Sequence, residues 1–143
     1  MKGKFLAVLA LAGVAGMSSA QESERDSARV AELSAPKGAP FAVSRISKKD
    51  LQEFSTSGQE LPYLFARTPG VVAWSENGLG TGTVYMRMRG SAGSRVNVTI
   101  DGISLNSPED QCVFWANMNS YASLLGSVQI QRGVGSSSNG DGA

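Results

Sequence analysis

The polar side chains of this 143-residue chain are better suited to binding than to catalysis. The sequence has no histidine and a single cysteine, Cys112, so the commonest general base is missing and no internal disulfide can form. No nucleophile–base pair, carboxylate dyad or cluster with metal-ligand spacing emerges from the other residues. We therefore expect no enzyme, no metal site and no cofactor. Cys112 is interpreted as a small apolar filler, with an intermolecular bridge as the alternative.

Three short predicted strands carry the side chains with the clearest chemistry, and each ends at a charged residue followed by glycine. The strands and their closing pairs are Thr83–Arg89 with Arg89-Gly90, Arg95–Ile100 with Asp101-Gly102, and Val128–Gln131 with Arg132-Gly133. Arginine forms bidentate bonds to carboxylates, although a solvated arginine at a strand end is the plainer interpretation. The Asp-Gly pair predicts a two-residue hairpin, because a type I′ turn needs positive φ at both central residues.

Two short helices are expected to support these strands. Ser47 is a good N-cap, and Asp50 stands three residues later, where a capping box has its acidic residue. Leu51 and Phe54 then give the first helix an apolar stripe. A second helix is predicted over about Glu60–Arg67, with a proline in its first turn, where proline is tolerated.

The remaining segments complete a fold of the α+β class. Weak strand patterns occupy Ala42–Ile46 and Val71–Trp74, and a flexible glycine-rich loop is predicted over Glu76–Gly82. A longer irregular loop covers Ser107–Asn119, and Ser120–Leu125 fits one or two helical turns. The sequence thus predicts a small mixed β-sheet of four to five short strands with two or three short helices and long loops.

The first twenty residues have the composition of a signal peptide. Lys2 and Lys4 precede the apolar run Phe5–Ala15, and small residues follow before Gln21. We predict a signal peptide over residues 1–20, a flexible tail over 21–40 and a folded domain over 41–143. Without the two leader lysines, eleven basic residues face twelve acidic ones, and this balance gives no reason to expect nucleic acid as a partner.

Several short motifs follow one another in a fixed order from about Phe41 to Ala143. The motifs are a strand before Ser47; Leu61, Leu64, Phe65, Pro69, Gly70 and Val71 in an L-x-x-L-L-x-x-x-P-G-V pattern; Arg89-Gly90; Arg95-Val96-Asn97-Val98-Thr99-Ile100-Asp101-Gly102-Ile103; Val128, Ile130, Arg132 and Gly133; and Asn139-Gly140-Asp141-Gly142-Ala143. Together they resemble the plug domain of TonB-dependent outer-membrane receptors. The chain departs from the family pattern at Arg45, where valine is usual, at Gly126 and Gln129, where glutamates are usual, and at Val134, where proline is usual.

The resemblance implies a gate for active uptake of a ligand across the outer membrane. Its implied partners are the periplasmic domain of TonB, the outer-membrane β-barrel of the same receptor and an imported small ligand. It implies a plug inside the barrel that faces the periplasm, on a chain that stops before the barrel; a chain that is truly this short would be periplasmic. The alternative from another class is a stand-alone periplasmic protein-interaction module with a plug-like fold.

The resemblance also implies roles for particular residues. Arg89 and Arg132 are candidates for locks between plug and barrel. The candidate TonB box, a segment that adds as a strand to TonB, is Ala28, Arg29, Val30, Ala31, Glu32 and Leu33, with a plain linker as the alternative. Ligand-contact candidates from the two loops are Asn77, Leu79, Phe114 and Trp115. The alternative for the aromatic residues is a place in the core, which we expect for Trp74.

Overall fold

The structure is a computed structural model that describes residues 34–35 and 38–133. The predicted signal peptide, the candidate TonB box Ala28–Leu33 and the motif Asn139–Ala143 lie outside the described residues. The chain divides into two compact units, and every element below belongs to the second, Ala35–Ala143. This unit begins ahead of the predicted domain start at Phe41.

The described residues form short strands, short helices and two 3-10 turns. The strands are β1 (Ala42–Ile46), β2 (Val71–Ser75), β3 (Val84–Met88), β4 (Ser91–Ala92), β5 (Thr99–Ile100), β6 (Ile103–Ser104) and β7 (Val128–Arg132). The helices are α1 (Lys48–Ser55), α2 (Leu61–Phe65) and α3 (Tyr121–Leu124), and the 3-10 turns are Gly93–Arg95 and Trp115–Met118. The prediction of an α+β fold is confirmed.

The strands are distributed over three small antiparallel sheets. β1 pairs with β7, from Ala42 opposite Arg132 to Ile46 opposite Val128. β2, β3 and β4 form a three-stranded sheet, and β5 and β6 form a hairpin. The β1–β7 pair joins the two ends of the described domain, so its register sets where the N-terminal tail and the C-terminal Arg132-Gly133 pair lie.

Helix α1 begins with the predicted capping box. Ser47 Oγ accepts a hydrogen bond from the Asp50 amide at 3.3 Å, and Asp50 Oδ2 accepts from the Ser47 amide at 3.1 Å. The Ser47 hydroxyl also donates to Asp50 Oδ2 at 2.6 Å, and this hydrogen bond is the main reason that the pKa of Asp50 lies below its ordinary value. Leu51 and Phe54 are both buried, as their spacing predicts.

The core forms where α2 faces the β2–β3 sheet and the Trp115 turn. Pro62 lies in the first turn of α2, and Phe65 meets Trp115 edge-to-face, with ring centroids 5.7 Å apart. This arrangement buries the apolar face of α2. The buried core cluster comprises Ile46, Leu51, Phe54, Leu61, Leu64, Phe65, Val71, Met86, Trp115, Met118, Ala122 and Ile130.

Two hairpins turn on pairs of residues with positive φ. Asp101 (φ 51°) and Gly102 (φ 81°) connect Ile100 to Ile103, as the sequence predicts. Arg89 (φ 49°) and Gly90 (φ 83°) connect β3 to β4 in the same way, and the sequence analysis did not identify this hairpin. Arginine is an unusual residue at positive φ, so the Arg-Gly pair gives a weaker turn signal than Asp-Gly.

The predicted strand Arg95–Ile100 is wrong over its first four residues. Only Thr99 and Ile100 lie in a strand, and Arg95 ends a 3-10 turn. The side chain of Asn106 bonds the backbone on either side of Asn97: its Oδ1 accepts from Val98 N at 2.8 Å, and its Nδ2 donates to Val96 O at 3.0 Å. The backbone groups that a neighbouring strand would bond are therefore bonded by one side-chain amide.

Candidate functional site

Arg132 joins three separate segments of the domain. Its Nη1 donates to Pro69 O at 2.7 Å, in the turn between α2 and β2, and its Nη2 donates to Ser44 Oγ at 3.1 Å on β1. Its Nε is buried and has no hydrogen-bond partner. Because both bonded acceptors are neutral, these contacts leave the charge of Arg132 without compensation and its buried Nε–H without a bond.

The side chain of Arg89 lies close to two glycines, Gly70 and Gly133. Its amide donates to Gly70 O at 2.7 Å, and its Cγ is 3.5 Å from the position that a Cβ on Gly70 would take. Its Nη1 is only 2.6 Å from the Cβ position of Gly133, which has φ +106°. The Pro69-Gly70 pair and both Arg-Gly pairs therefore converge at one place, which we name the arginine–glycine junction (Ser44, Pro69-Gly70, Arg89, Arg132-Gly133).

The two positions where the family has glutamates do not supply a carboxylate to this junction. Gly126 has no side chain and is exposed, and the Gln129 side chain accepts a hydrogen bond from the amide of Ala35. Arg89 is exposed and Arg132 is half-buried. The junction thus presents two guanidinium groups, a pair that is suited to bidentate bonds with a carboxylate from outside the domain.

The loop Glu76–Gly82, predicted as glycine-rich and flexible, carries several hydrogen bonds from side chains within it and beside it. Asn77 Nδ2 donates to Thr81 O at 3.0 Å, and Asn77 Oδ1 accepts from Leu79 N at 2.9 Å. The amide of Gly80 donates to Ser75 Oγ at 2.9 Å. These bonds fix the loop in a shape that leaves the Leu79 side chain 72% exposed.

A buried glutamate, Glu60, fastens this loop to α2. Its amide donates to Gly80 O at 2.8 Å, and its Oε1 accepts from Gly82 N at 3.3 Å. Glu60 is 2% exposed, and its Oε2 is buried without a partner. The sequence analysis missed this role, because an acidic residue just before a helix is usual for helix-dipole reasons alone.

The four ligand-contact candidates differ in their surroundings. Phe114 is 61% exposed, and Leu79 is exposed as well. The side-chain amide of Asn77, in contrast, forms hydrogen bonds within its own loop. Trp115 is 5% exposed and packs on Phe65, a position that supports its alternative place in the core.

Trp74, which we expected in the core, lies on the outer face of the β2–β3 sheet. It is 41% exposed and stacks on Tyr85 directly opposite, with centroids 5.6 Å apart. Arg87 lies over its ring at 5.9 Å. The Tyr85 hydroxyl donates to Glu76 Oε1 at 2.8 Å, and this bond raises the pKa of Tyr85. The expectation for Trp74 failed because the alternation along β2 points Val71 inward and Trp74 outward.

The described residues provide neither a metal site nor a membrane-spanning helix. Among them, no group of three or more His, Cys, Asp or Glu side chains is arranged to hold a metal ion. In that same part of the chain, no helix has the length and apolarity that a membrane crossing requires.

Comparison with known families decides the relationship of the chain. The family model described as the TonB-dependent receptor plug domain matches residues 35–143, which is most of the sequence. The chain belongs to this family. Plug domains of TonB-dependent receptors are transport components of the outer membrane that gate the receptor and associate with a barrel and with TonB. Searches of curated proteins and of solved structures gave no match.

Proposed function

We propose that this plug domain gates a receptor that takes up a small ligand actively across the outer membrane. In this proposal the domain lies inside the barrel of the same receptor, faces the periplasm, and acts by binding and rearrangement, without catalysis. The family match over residues 35–143 is the observation that carries the proposal. The chemistry of the arginine–glycine junction adds independent support.

The junction supports a contact between plug and barrel. Arg132 bonds only neutral acceptors through Nη1 and Nη2, and Arg89 is exposed beside it. The lumen of a membrane barrel is polar, and arginine forms bidentate bonds with carboxylates there. We assign to Arg89 and Arg132 the role of locks that bond acidic side chains of the barrel wall.

Ligand contacts are assigned to the two exposed apolar side chains of the loops, Leu79 and Phe114. Leu79 stands on a loop that Glu60 and Asn77 hold in place, so its position is fixed before a ligand arrives. These two side chains are the proposed ligand contacts.

A panel of ferric siderophores, cobalamin, haem, glycans and peptides identifies the ligand by binding. Leu79→Asp should then weaken binding of that ligand, whereas Leu124→Asp, at an equally exposed leucine on α3, should not.

The tail segment Ala28–Leu33 is the proposed contact for TonB. A segment that adds as a strand must donate its backbone N–H groups, and proline removes one. We expect the chain from Gln21 to bind the purified periplasmic domain of TonB in calorimetry, Val30→Pro to abolish this binding, and Val30→Ala to retain it. Binding that survives Val30→Pro, or no binding at millimolar peptide, argues against this assignment.

A further inference from the structure

Ala35, the first residue of the compact unit, is held by side chains on both sides of its backbone. Its amide donates to Gln129 Oε1 at 2.9 Å, and its carbonyl accepts from Arg45 Nη2 at 2.8 Å. The residue is buried. One residue at the exit of the N-terminal tail thus has both of its peptide hydrogen-bonding groups bonded by side chains of the domain.

The two side chains that hold Ala35 stand directly opposite each other in the β1–β7 ladder. Arg45 on β1 is paired with Gln129 on β7, so the side chains of the two residues share one face of the ladder. The contact with Ala35 therefore depends on the register of β1 and β7. It is built on the same two strands that carry Ser44 and Arg132 of the arginine–glycine junction.

The chemistry of both side chains suits this contact. Valine at position 45 has no donor for the Ala35 carbonyl. Glutamine at 129 offers a neutral acceptor beside Arg45, whereas a glutamate there forms an ion pair that competes for the guanidinium. The two side chains are complementary, because Arg45 supplies the donor for the carbonyl and Gln129 the acceptor for the amide.

We propose that Arg45 and Gln129 form a clamp on Ala35 that ties the N-terminal tail to the β1–β7 ladder. The clamp sets how readily the tail detaches from the domain. Its meaning in transport rests on the proposed function: tension that TonB applies to the tail meets the bonds at Ala35 before it reaches the ladder. The clamp itself follows from the two hydrogen bonds and does not depend on TonB.

Hydrogen exchange at the Ala35 amide tests the clamp in the chain from Gln21 to Ala143. We expect Gln129→Ala to speed exchange of this amide roughly tenfold, the size expected from the loss of one hydrogen bond, while the amides of the β1–β7 ladder keep their rates. Gln131→Ala is the matched control, since it removes the same side chain two residues along the same strand.

A double-mutant cycle separates a clamp from two unrelated contacts. Either Arg45→Ala or Gln129→Ala alone should free Ala35, so the double variant should exchange little faster than the single ones. If the two substitutions act independently, the increases in exchange rate multiply in the double variant, and this result contradicts the clamp. An Ala35 amide that exchanges in the unmutated chain as fast as in a short peptide overturns it, as does a rate that Gln129→Ala leaves unchanged.

Single-molecule pulling on the N-terminus, with the C-terminus anchored, measures the mechanical effect without TonB. We expect an early rupture event that Gln129→Ala removes and Gln131→Ala preserves. Its persistence in Gln129→Ala contradicts the proposal. The outcomes are separable: if the rupture is lost as expected but TonB fails to bind the tail, the clamp stands and the proposed TonB contact fails. If TonB binds and the rupture persists, only the clamp fails.

Discussion

The guanidinium of Arg89 lies against Gly133, close to the place that a Cβ would take. Arg89 Nη1 is 2.6 Å from the position of a Cβ on Gly133. The φ of +106° favours glycine there, and a Cβ would displace the flexible end of the Arg89 side chain. The Arg-Gly pairs of the sequence therefore do two things: the glycine admits the guanidinium, and the guanidinium offers its charge at the junction.

Gly133→Ala should add a displacement of the Arg89 side chain to the backbone strain at φ +106°. Gly90, at φ +83° with open space around it, is the matched control, and alanine there should cost only backbone strain of about 1–2 kcal/mol. Gly133→Ala should cost more in urea unfolding, because Arg89 must also move. In an Arg89→Ala background the extra cost should disappear. Equal costs of Gly133→Ala in the two backgrounds contradict this account of the junction.

The cap of α1 should make stability depend on pH at acid values. The hydrogen bonds from Ser47 hold the pKa of Asp50 below its ordinary value of 3.8, so the carboxylate is favoured in the folded state. Its stabilising contribution is complete above pH 3.8 and is lost as the pH falls through the lower folded value. Urea unfolding at several pH values should show this loss.

Asp50→Asn tests the origin of that dependence. The variant should unfold more easily than the unmutated chain at neutral pH and lose that part of the acid dependence, whereas Glu53→Gln, on the same helix outside the cap, should keep it. If Asp50→Asn leaves the acid dependence unchanged, the cap is not its source.

Among the elements, the segment before the β5–β6 hairpin has two of its backbone groups bonded by a single side chain. Asn106 bonds Val98 N and Val96 O, and its Nδ2 also donates to Gln111 O at 2.7 Å. Asn106→Ala should lower the free energy of unfolding by about 1–3 kcal/mol, the usual cost of unpaired buried backbone groups. It should also raise the exchange rate of the Val98 amide.

Asn106→Asp distinguishes the acceptor from the donor. The carboxylate still accepts from Val98 N but faces the carbonyl of Val96 without a proton, so we expect protection of the Val98 amide to persist while stability falls. Unchanged stability in both variants would falsify the assignment of Asn106 as the substitute for a neighbouring strand.

The elements also show what the sequence could and could not predict. The capping box at Ser47, the apolar face of α2 and the Asp101-Gly102 hairpin depend on neighbours within a few residues, and all were predictable. The role of Asn106 and the pairing of Arg45 with Gln129 depend on tertiary contacts that no local pattern encodes. The outward position of Trp74 was missed for a related reason. The run of β-type residues around Trp74 is short, and which of its side chains are buried depends on which face of the sheet packs on the core.

In the candidate site, too, features set by neighbouring residues were predictable and features set by tertiary contacts were not. The Arg-Gly pairs were visible in the sequence as candidates, because arginine chemistry and glycine spacing are local. Their convergence with Pro69 and Gly70 was not, since it joins segments that are far apart in the chain. Glu60 was missed altogether, because only the fold shows that its carboxylate accepts from the loop amide at Gly82.

For the whole molecule, the β1–β7 pair brings together the two ends of the described domain. The tail leaves at Ala35, held by Arg45 and Gln129, and Arg132 near the other end bonds Ser44 and Pro69. A plug that is pulled from its N-terminus and held through its arginines would have these two attachments on the same strand pair. Both attachments therefore lie on the β1–β7 pair, one at each end of the described domain.

The conductance of the receptor that carries this domain, measured in planar lipid bilayers, tests the gating proposal most directly. We expect the intact receptor to be nearly silent, and the same receptor without residues 35–143 to form a steady open pore, because the plug fills the barrel. Equal conductance with and without these residues contradicts the proposed gate.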